Sequence, residues 1–259
     1  MIKICFSIMR KDKETLIFAS LSFIMLVILG IFFFGALFLM NTPIGLIHLP
    51  LYIFVLCLTI FSIQFFNAAV IACANMRIKG MSPTFHDGLS TAKRYYKRIF
   101  KWSLVKVGFG LLFGINMSIL KTPLTHYARN IANQIWNLIT YLVVPVMIIE
   151  DRDVSDAVKR SFQLFKKSWA ENIIGQVSMG LIFIGLAMLW FIPVGLIIIY
   201  SVTNTLSSAQ LQFYFTFVLL GIFYWIALLI MSSAINAIYS ALLYNYAVNG
   251  SVKGYKLNK

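Results

Sequence analysis

The sequence predicts an all-α fold: a polytopic helical membrane protein with six transmembrane helices and two amphipathic interfacial helices. Three observations carry this. Of 259 residues, 60% are apolar and 12% charged, against roughly 25% charged in soluble domains. The apolar residues gather into six runs of spanning length, and a hydrocarbon core of ~30 Å takes about 20 apolar residues per helix. The Lys and Arg residues, which set a net charge of +14, fall between those runs mainly on one side.

The first run covers residues 16–40 and is 25 residues long. A signal-peptide core has ~7–15 apolar residues and a small-residue cleavage site, so this run reads as a retained span. Further spans are expected at 49–74, 102–120, 131–149, 173–200 and 213–246, within one membrane domain over 1–259. Helices satisfy their own backbone polar groups in lipid, which makes them the element for such runs. The last run has 34 residues, about 51 Å of helix. It should kink, tilt or run on into the headgroups, with Ser232, Ser233 and Asn236 the place to bend.

Nineteen Lys and Arg lie on one side of these spans, whereas Lys121 and Arg129 are the two on the other. By the positive-inside rule both termini are cytoplasmic. The three cysteines, Cys5, Cys57 and Cys73, form no C-x-x-C pair, and no disulfide framework is expected.

Two cytoplasmic segments read as helices lying in the inner interface. Over residues 83–101, Phe85, Leu89, Ala92, Tyr96 and Ile99, with Ser103 beyond, recur every three or four positions. Lys93, Arg94, Lys97, Arg98 and Lys101 occupy much of the remaining surface. Ser82 before Pro83 supplies an N-cap and a pre-set first turn. Over 155–169, Val158, Phe162, Phe165 and Trp169 continue a stripe begun at Val154, and Asp156 is placed to pair with Arg160. Asp151, Asp153 and Asp156 stand at its start and Lys166 and Lys167 near its end, which suits the helix dipole. The seven basic residues Lys93, Arg94, Lys97, Arg98, Lys101, Lys166 and Lys167 are candidate contacts to anionic inner-leaflet lipid, the expected partner; nucleic acid is not. Two short internal echoes, Asp87 to Trp102 against Asp156 to Trp169 and Asn67-Ala68 against Asn236-Ala237, suggest helical hairpins with or without a true duplication.

Four motifs carry a resemblance. Phe65-Phe66-Asn67-Ala68-Ala69, Val144-Pro145-Val146 followed by Glu150, Asp156-Ala157-Val158-Lys159-Arg160-Ser161 with Trp169, and Leu243-Tyr244-Asn245-Tyr246-Ala247 before Gly250 resemble an uncharacterised bacterial family of six-helix integral membrane proteins. A looser likeness extends to the membrane-anchoring domain of some glycerophosphoryl diester phosphodiesterases. The resemblance implies fold and location in the inner (plasma) membrane, and no catalytic residue.

Candidate chemistry is sparse. Asp87-Gly88 with Ala92 and Arg94 resembles the start of a phosphatidyl-transferase motif, but the further aspartates of that motif do not follow. Glu150, Asp151, Asp153 and Asp156 form the acidic cluster, a possible Mg²⁺ site, though acids at a helix start are favoured whatever the function. His48, His86 and His126 are isolated, and no cofactor is expected. Inside the spans lie Gln64, Asn67, Asn116, Asn133, Gln134, Asn137 and Asn236; Gln64, Asn67, Asn116, Asn137 and Asn236 form the candidate polar cluster. Such groups either bond helix to helix, the commoner role, or line a hydrated cavity. Lys106, one turn after Trp102, is expected to snorkel toward the headgroups. Gly110-x-x-x-Gly114 suits close helix contact. The leading expectation is a non-enzymatic membrane protein that organises lipid or partner proteins; the alternatives are a small-solute or lipid permease and, third, a metal-dependent lipid enzyme. The absence of Asp or Glu deep in any span weighs against proton-coupled transport.

Overall fold

A computed structural model describes the backbone of residues 1–40, 48–119, 123–195, 197 and 208–250; the side chains of 40, 113–119, 123–129 and 208–211 lie outside that description. The described residues are helical, without a strand. In order they form α1 (Ile2–Lys11), α2 (Lys13–Met40), α3 (Leu49–Ile78), α4 (Phe85–Arg94), α5 (Tyr96–Ile119), α6 (Pro123–Thr140), α7 (Val143–Ile149), α8 (Val154–Leu189) and α9 (Ser208–Asn249). Five helices are long and apolar enough to cross a membrane: Lys13–Leu39, Leu49–Ile78, Asn130–Ile149, Val154–Gly195 and Gln212–Asn249. The expected third span, 102–120, falls on α5, whose first half carries Lys97, Arg98, Lys101 and Lys106 and which is not among the five.

Helix α3 is central, packing against α2, α4, α5, α7 and α9. Its stretch Ala68 to Ala74 is buried throughout. It ends in a Schellman motif: Gly80, at φ +87°, donates its N–H to the Arg77 carbonyl and Met81 donates to Met76 at 3.0 Å. α9 ends similarly on Gly250, at φ +69°, whose N–H reaches the Tyr246 carbonyl at 2.8 Å. α9 itself runs as one helix of 42 residues, about 63 Å. It extends rather than breaking at Ser232, Ser233 or Asn236.

α1 was not expected as an element. It buries Ile4, Cys5, Ile8 and Met9 against α9 and α2. At its end Asp12, 1% exposed, accepts from Thr15 N and Thr15 Oγ1 through its carbonyl and from Arg77 of α3 through both carboxylate oxygens. The N-terminal elbow is thereby tied to the end of α3.

Both expected interfacial helices differ from the sequence reading. The segment 83–101 is two helices, broken at Tyr95. The cap is Thr84, not Ser82: Thr84 Oγ1 accepts from Asp87 N while Asp87 accepts from Thr84 N. Asp87 stands at the third helical position from Thr84, and the corresponding position from Ser82 is Phe85, which cannot reciprocate. The buried side is Gly88, Ala92, Tyr95, Ile99 and Trp102, whereas Tyr96 is exposed and Phe85 stacks on Phe18 at 4.7 Å. In α8, Ala157, Ser161, Leu164, Ser168, Asn172, Gly175 and Met179 are buried, while Phe162 and Trp169 of the predicted stripe are exposed. Small residues admit close backbone approach, and large apolar ones need no protein partner where lipid serves as well. Ser168 is non-helical at φ −130°, and its hydroxyl donates to the Leu164 carbonyl at 3.1 Å, a back-bond that bends helices. Gly110 has nothing near it, so the Gly-x-x-x-Gly contact is not made there among the described residues.

Candidate functional site

The site begins with Pro145. It has no N–H for the Tyr141 carbonyl and its ring crowds that group, and the expected fourth span breaks at Tyr141 and Leu142 into α6 and α7. The break frees carbonyls at the end of α6. The small polar face of α8 satisfies them: Ser161 Oγ donates to Ile139 O at 2.5 Å and Asn172 Nδ2 to Leu138 O at 3.4 Å. Tyr141 turns to α9, donating from its hydroxyl to the Asn236 carbonyl at 2.9 Å.

Beside this break lies a cleft of about 350 Å³. Gln64, Asn67 and Ile71 line it from one face of α3, Trp102 and Lys106 from α5, Asn137, Thr140, Tyr141 and Val144 from the broken segment, Gln176 from α8, and Asn236, Ala237 and Ser240 from α9. Asn137 and Asn236 are exposed, so the cleft is open on one side. Four of the five candidate cluster residues thus meet in one place; the side chain of Asn116 lies outside the described residues.

Hydrogen bonds account for some of these groups and leave others. Gln176 donates to Asn172 Oδ1 at 2.6 Å, Thr140 to Trp136 O and Ser240 to Ala237 O. Among the described residues no side-chain hydrogen bond is made by Gln64, Asn67, Asn137 or Asn236, so the expected helix-to-helix bonding is not found at these amides. It occurs elsewhere, between Asn245 and Asn75 at 3.2 Å and from Asn172 to α6. Trp102 is fully buried and its indole N–H has no partner among the described residues. Lys106 lines the cleft with Nζ 5.7 Å from the centre of the Trp102 ring. Its charge and the unpartnered indole N–H were not anticipated as parts of the site; their i, i+4 spacing was the available signal.

The chain belongs to the family of unknown function DUF6159. The family model matches residues 44–254, which takes in every residue lining the cleft. No curated protein and no solved structure matches, so the looser likeness to phosphodiesterase membrane domains gains nothing from the comparisons.

Three of the four acids in the cluster are engaged in pairing. Glu150 forms an ion pair with Arg152 at 2.7 Å and accepts from Arg160 Nε at 3.0 Å and the Tyr244 hydroxyl at 3.1 Å. Arg160 therefore pairs with Glu150 rather than Asp156, which lies 4.0 Å from Lys159. Asp151, in the left-handed region at φ 54°, accepts from Arg98 at 2.5 Å, and that bond holds its carboxyl below the usual range. No group of three His, Cys, Asp or Glu able to hold a metal occurs among the described residues. The three cysteines are free. Of the candidate headgroup contacts, Lys93, Arg94, Lys97, Lys101, Lys166 and Lys167 are exposed, while Arg98 is half-buried and paired.

Proposed function

We propose that this protein is a six-span membrane protein, with α5 as the sixth span and both termini in the cytoplasm, that binds a polar solute or lipid headgroup in the cleft as a permease does. The observation that carries the reading is the convergence of Gln64, Asn67, Asn137 and Asn236 on one open cleft with no side-chain hydrogen bond among the described residues. Amides placed in a span at that cost are kept where something polar occupies the space beside them. The reading assigns no covalent chemistry, since Glu150 and Asp151 are engaged by arginines. The exposed bases on α4, α5 and α8 have a separate part: each contributes about 1 kcal/mol beside an anionic leaflet, and together they seat the protein on the inner leaflet of a plasma membrane.

The test is a Cys residue at position 67, 137 or 236 challenged with a membrane-impermeant thiol reagent, in parallel with unfolding midpoints of Asn67→Leu and Asn236→Leu. Ready labelling with unchanged midpoints is the expected result. Protected thiols with lowered midpoints would return these amides to a purely structural role.

A further inference from the structure

We propose that the cleft recognises an oxyanion, a carboxylate or phosphate group, through Lys106 and the indole N–H of Trp102. The inference deepens the binding reading above and rests on it. Four observations point the same way. The residues lining the cleft include one ammonium group and no carboxylate, so its formal charge is positive. Lys106 makes no ion pair among the described residues, which singles it out from Arg77, Arg98, Arg152 and Arg160. The Trp102 residue is 0% exposed, lines the same cleft and has an indole N–H with no acceptor among the described residues. Around them Gln64 and Asn67 each retain two amide donors.

Buried N–H groups almost always have an acceptor, and a cation inside a span is ordinarily paired or faces a polar pathway. An indole is a donor only and an ammonium is a donor only, so they cannot satisfy one another. One acceptor of negative charge answers both. The ammonium already lies over the indole ring, a contact that fixes where the charge sits relative to the ring without consuming any of its three donors. A neutral solute would satisfy the indole and leave the charge without a counter-ion. A cation would be repelled.

The source of the oxyanion is either a lipid phosphate or a free anion, and the experiment separates them. Full-length protein carrying ¹⁵N-tryptophan is placed in nanodiscs, and the Trp102 indole resonance is assigned by its loss in Trp102→Phe. One arm uses discs of digalactosyl diacylglycerol, a neutral lipid without phosphate, titrated with inorganic phosphate or acetate at fixed ionic strength, with chloride as reference. The other uses phosphatidylglycerol discs with no added anion. A downfield shift in the first arm identifies a free anion; a shift already present in the second identifies a lipid headgroup. In either case Lys106→Gln should weaken the response at least about tenfold and Lys106→Arg should largely retain it. No shift in either arm, or equal shifts in wild type and Lys106→Gln, would overturn the proposal. Thiol labelling at position 236 in the same discs keeps the two readings apart: a labelled cleft indifferent to anions defeats only the charge inference, whereas an unlabelled one defeats the binding reading beneath it.

Discussion

At one end of the bundle, where the Lys and Arg residues gather, Ala68 and Ala74 of α3, Leu164 of α8 and Ile238 and Leu242 of α9 are fully buried. Toward the other end Phe38 of α2 is 84% exposed, Leu181 of α8 63% and Phe223 of α9 69%. The buried helix glycines Gly88 and Gly175 follow the same division: an ideal Cβ on Gly88 would run into Cys73 and Phe18 and one on Gly175 into Tyr239, while one on Gly30, Gly35, Gly180, Gly185 or Gly195 would meet nothing. Ion pairs divide the same way, with all those among the described residues at the basic end. Apolar side chains gain little from one another in lipid, so association concentrates where small faces and polar contacts allow it. One aromatic cluster is the exception at the far end: Trp190 stacks on Phe217 at 4.4 Å and sits against Gly221, and Tyr224 donates to Leu186 O. The cleft opens at the boundary between the two regimes, where α6 breaks and Trp102 is the last fully packed aromatic of α5.

The largest expected effect tests the basic end. Arg77→Met leaves the carboxylate of Asp12 buried without its partner, and breaking such a pair from one side costs about 3 kcal/mol. Asp12→Asn with Arg77→Met should recover most of that loss. The measurement is the unfolding midpoint in mild detergent titrated with a denaturing one; a single variant as stable as wild type would mean that this end is not held by its polar ties.

Next in size is a pair of glycine replacements. Gly175→Ala drives a methyl into Tyr239, which donates to Glu171 O at 2.6 Å from its buried position, and overpacking of this kind costs ~1–3 kcal/mol. Gly185→Ala, ten residues or about 15 Å further along α8, adds a methyl to open space and removes backbone freedom, so stability should hold or rise slightly. Equal losses at the two sites would erase the contrast between the ends.

The contrast also explains what the sequence made legible. Apolar run length located the long helices, because the bilayer thickness sets that length, and amide spacing of three or four placed Gln64 and Asn67 on one face. What periodicity left unread was the face that packs within the protein. On α8 the large residues Phe162 and Trp169 mark an apolar stripe and are exposed, while Ala157, Ser161 and Gly175 are buried against other helices, because in lipid the narrow face packs. In the sequence Pro145 stands only as part of the Val144-Pro145-Val146 motif; its consequence, the break beside which the Leu138 and Ile139 carbonyls are bonded by α8, follows only when the partner helix is known. The same limit hid Arg77 with Asp12 and Arg160 with Glu150, partners distant in sequence that no local spacing announces.

The smallest effect sharpens the comparison by pH. Two carboxyls at the basic end lie below the usual carboxylate range: Asp87, held by the Thr84 hydroxyl and backbone N–H, and Asp151, held by Arg98. A folded value below the unfolded one means that the ionised form favours folding. The stabilisation is therefore complete above the unfolded carboxylate range and is lost as pH falls through the lower, folded values. Both groups are exposed to solvent, so salt screens the Asp151 contribution, whereas the reciprocal bonds between Thr84 and Asp87 depend on salt much less. Acidification from pH 6 to pH 3 should accordingly loosen the α4 start and the Asp151 loop first. Amide hydrogen exchange resolved by segment is the measurement: protection relative to the intrinsic rate at each pH should fall at residues 84–88 and 150–154 while that of 218–226 at the far end stays unchanged. Asp87→Asn should remove the acid response of the first segment alone, and Asp151→Asn that of the second. A uniform response along the chain would show that the two ends unfold as one unit, and that their difference in packing is not a difference in local stability.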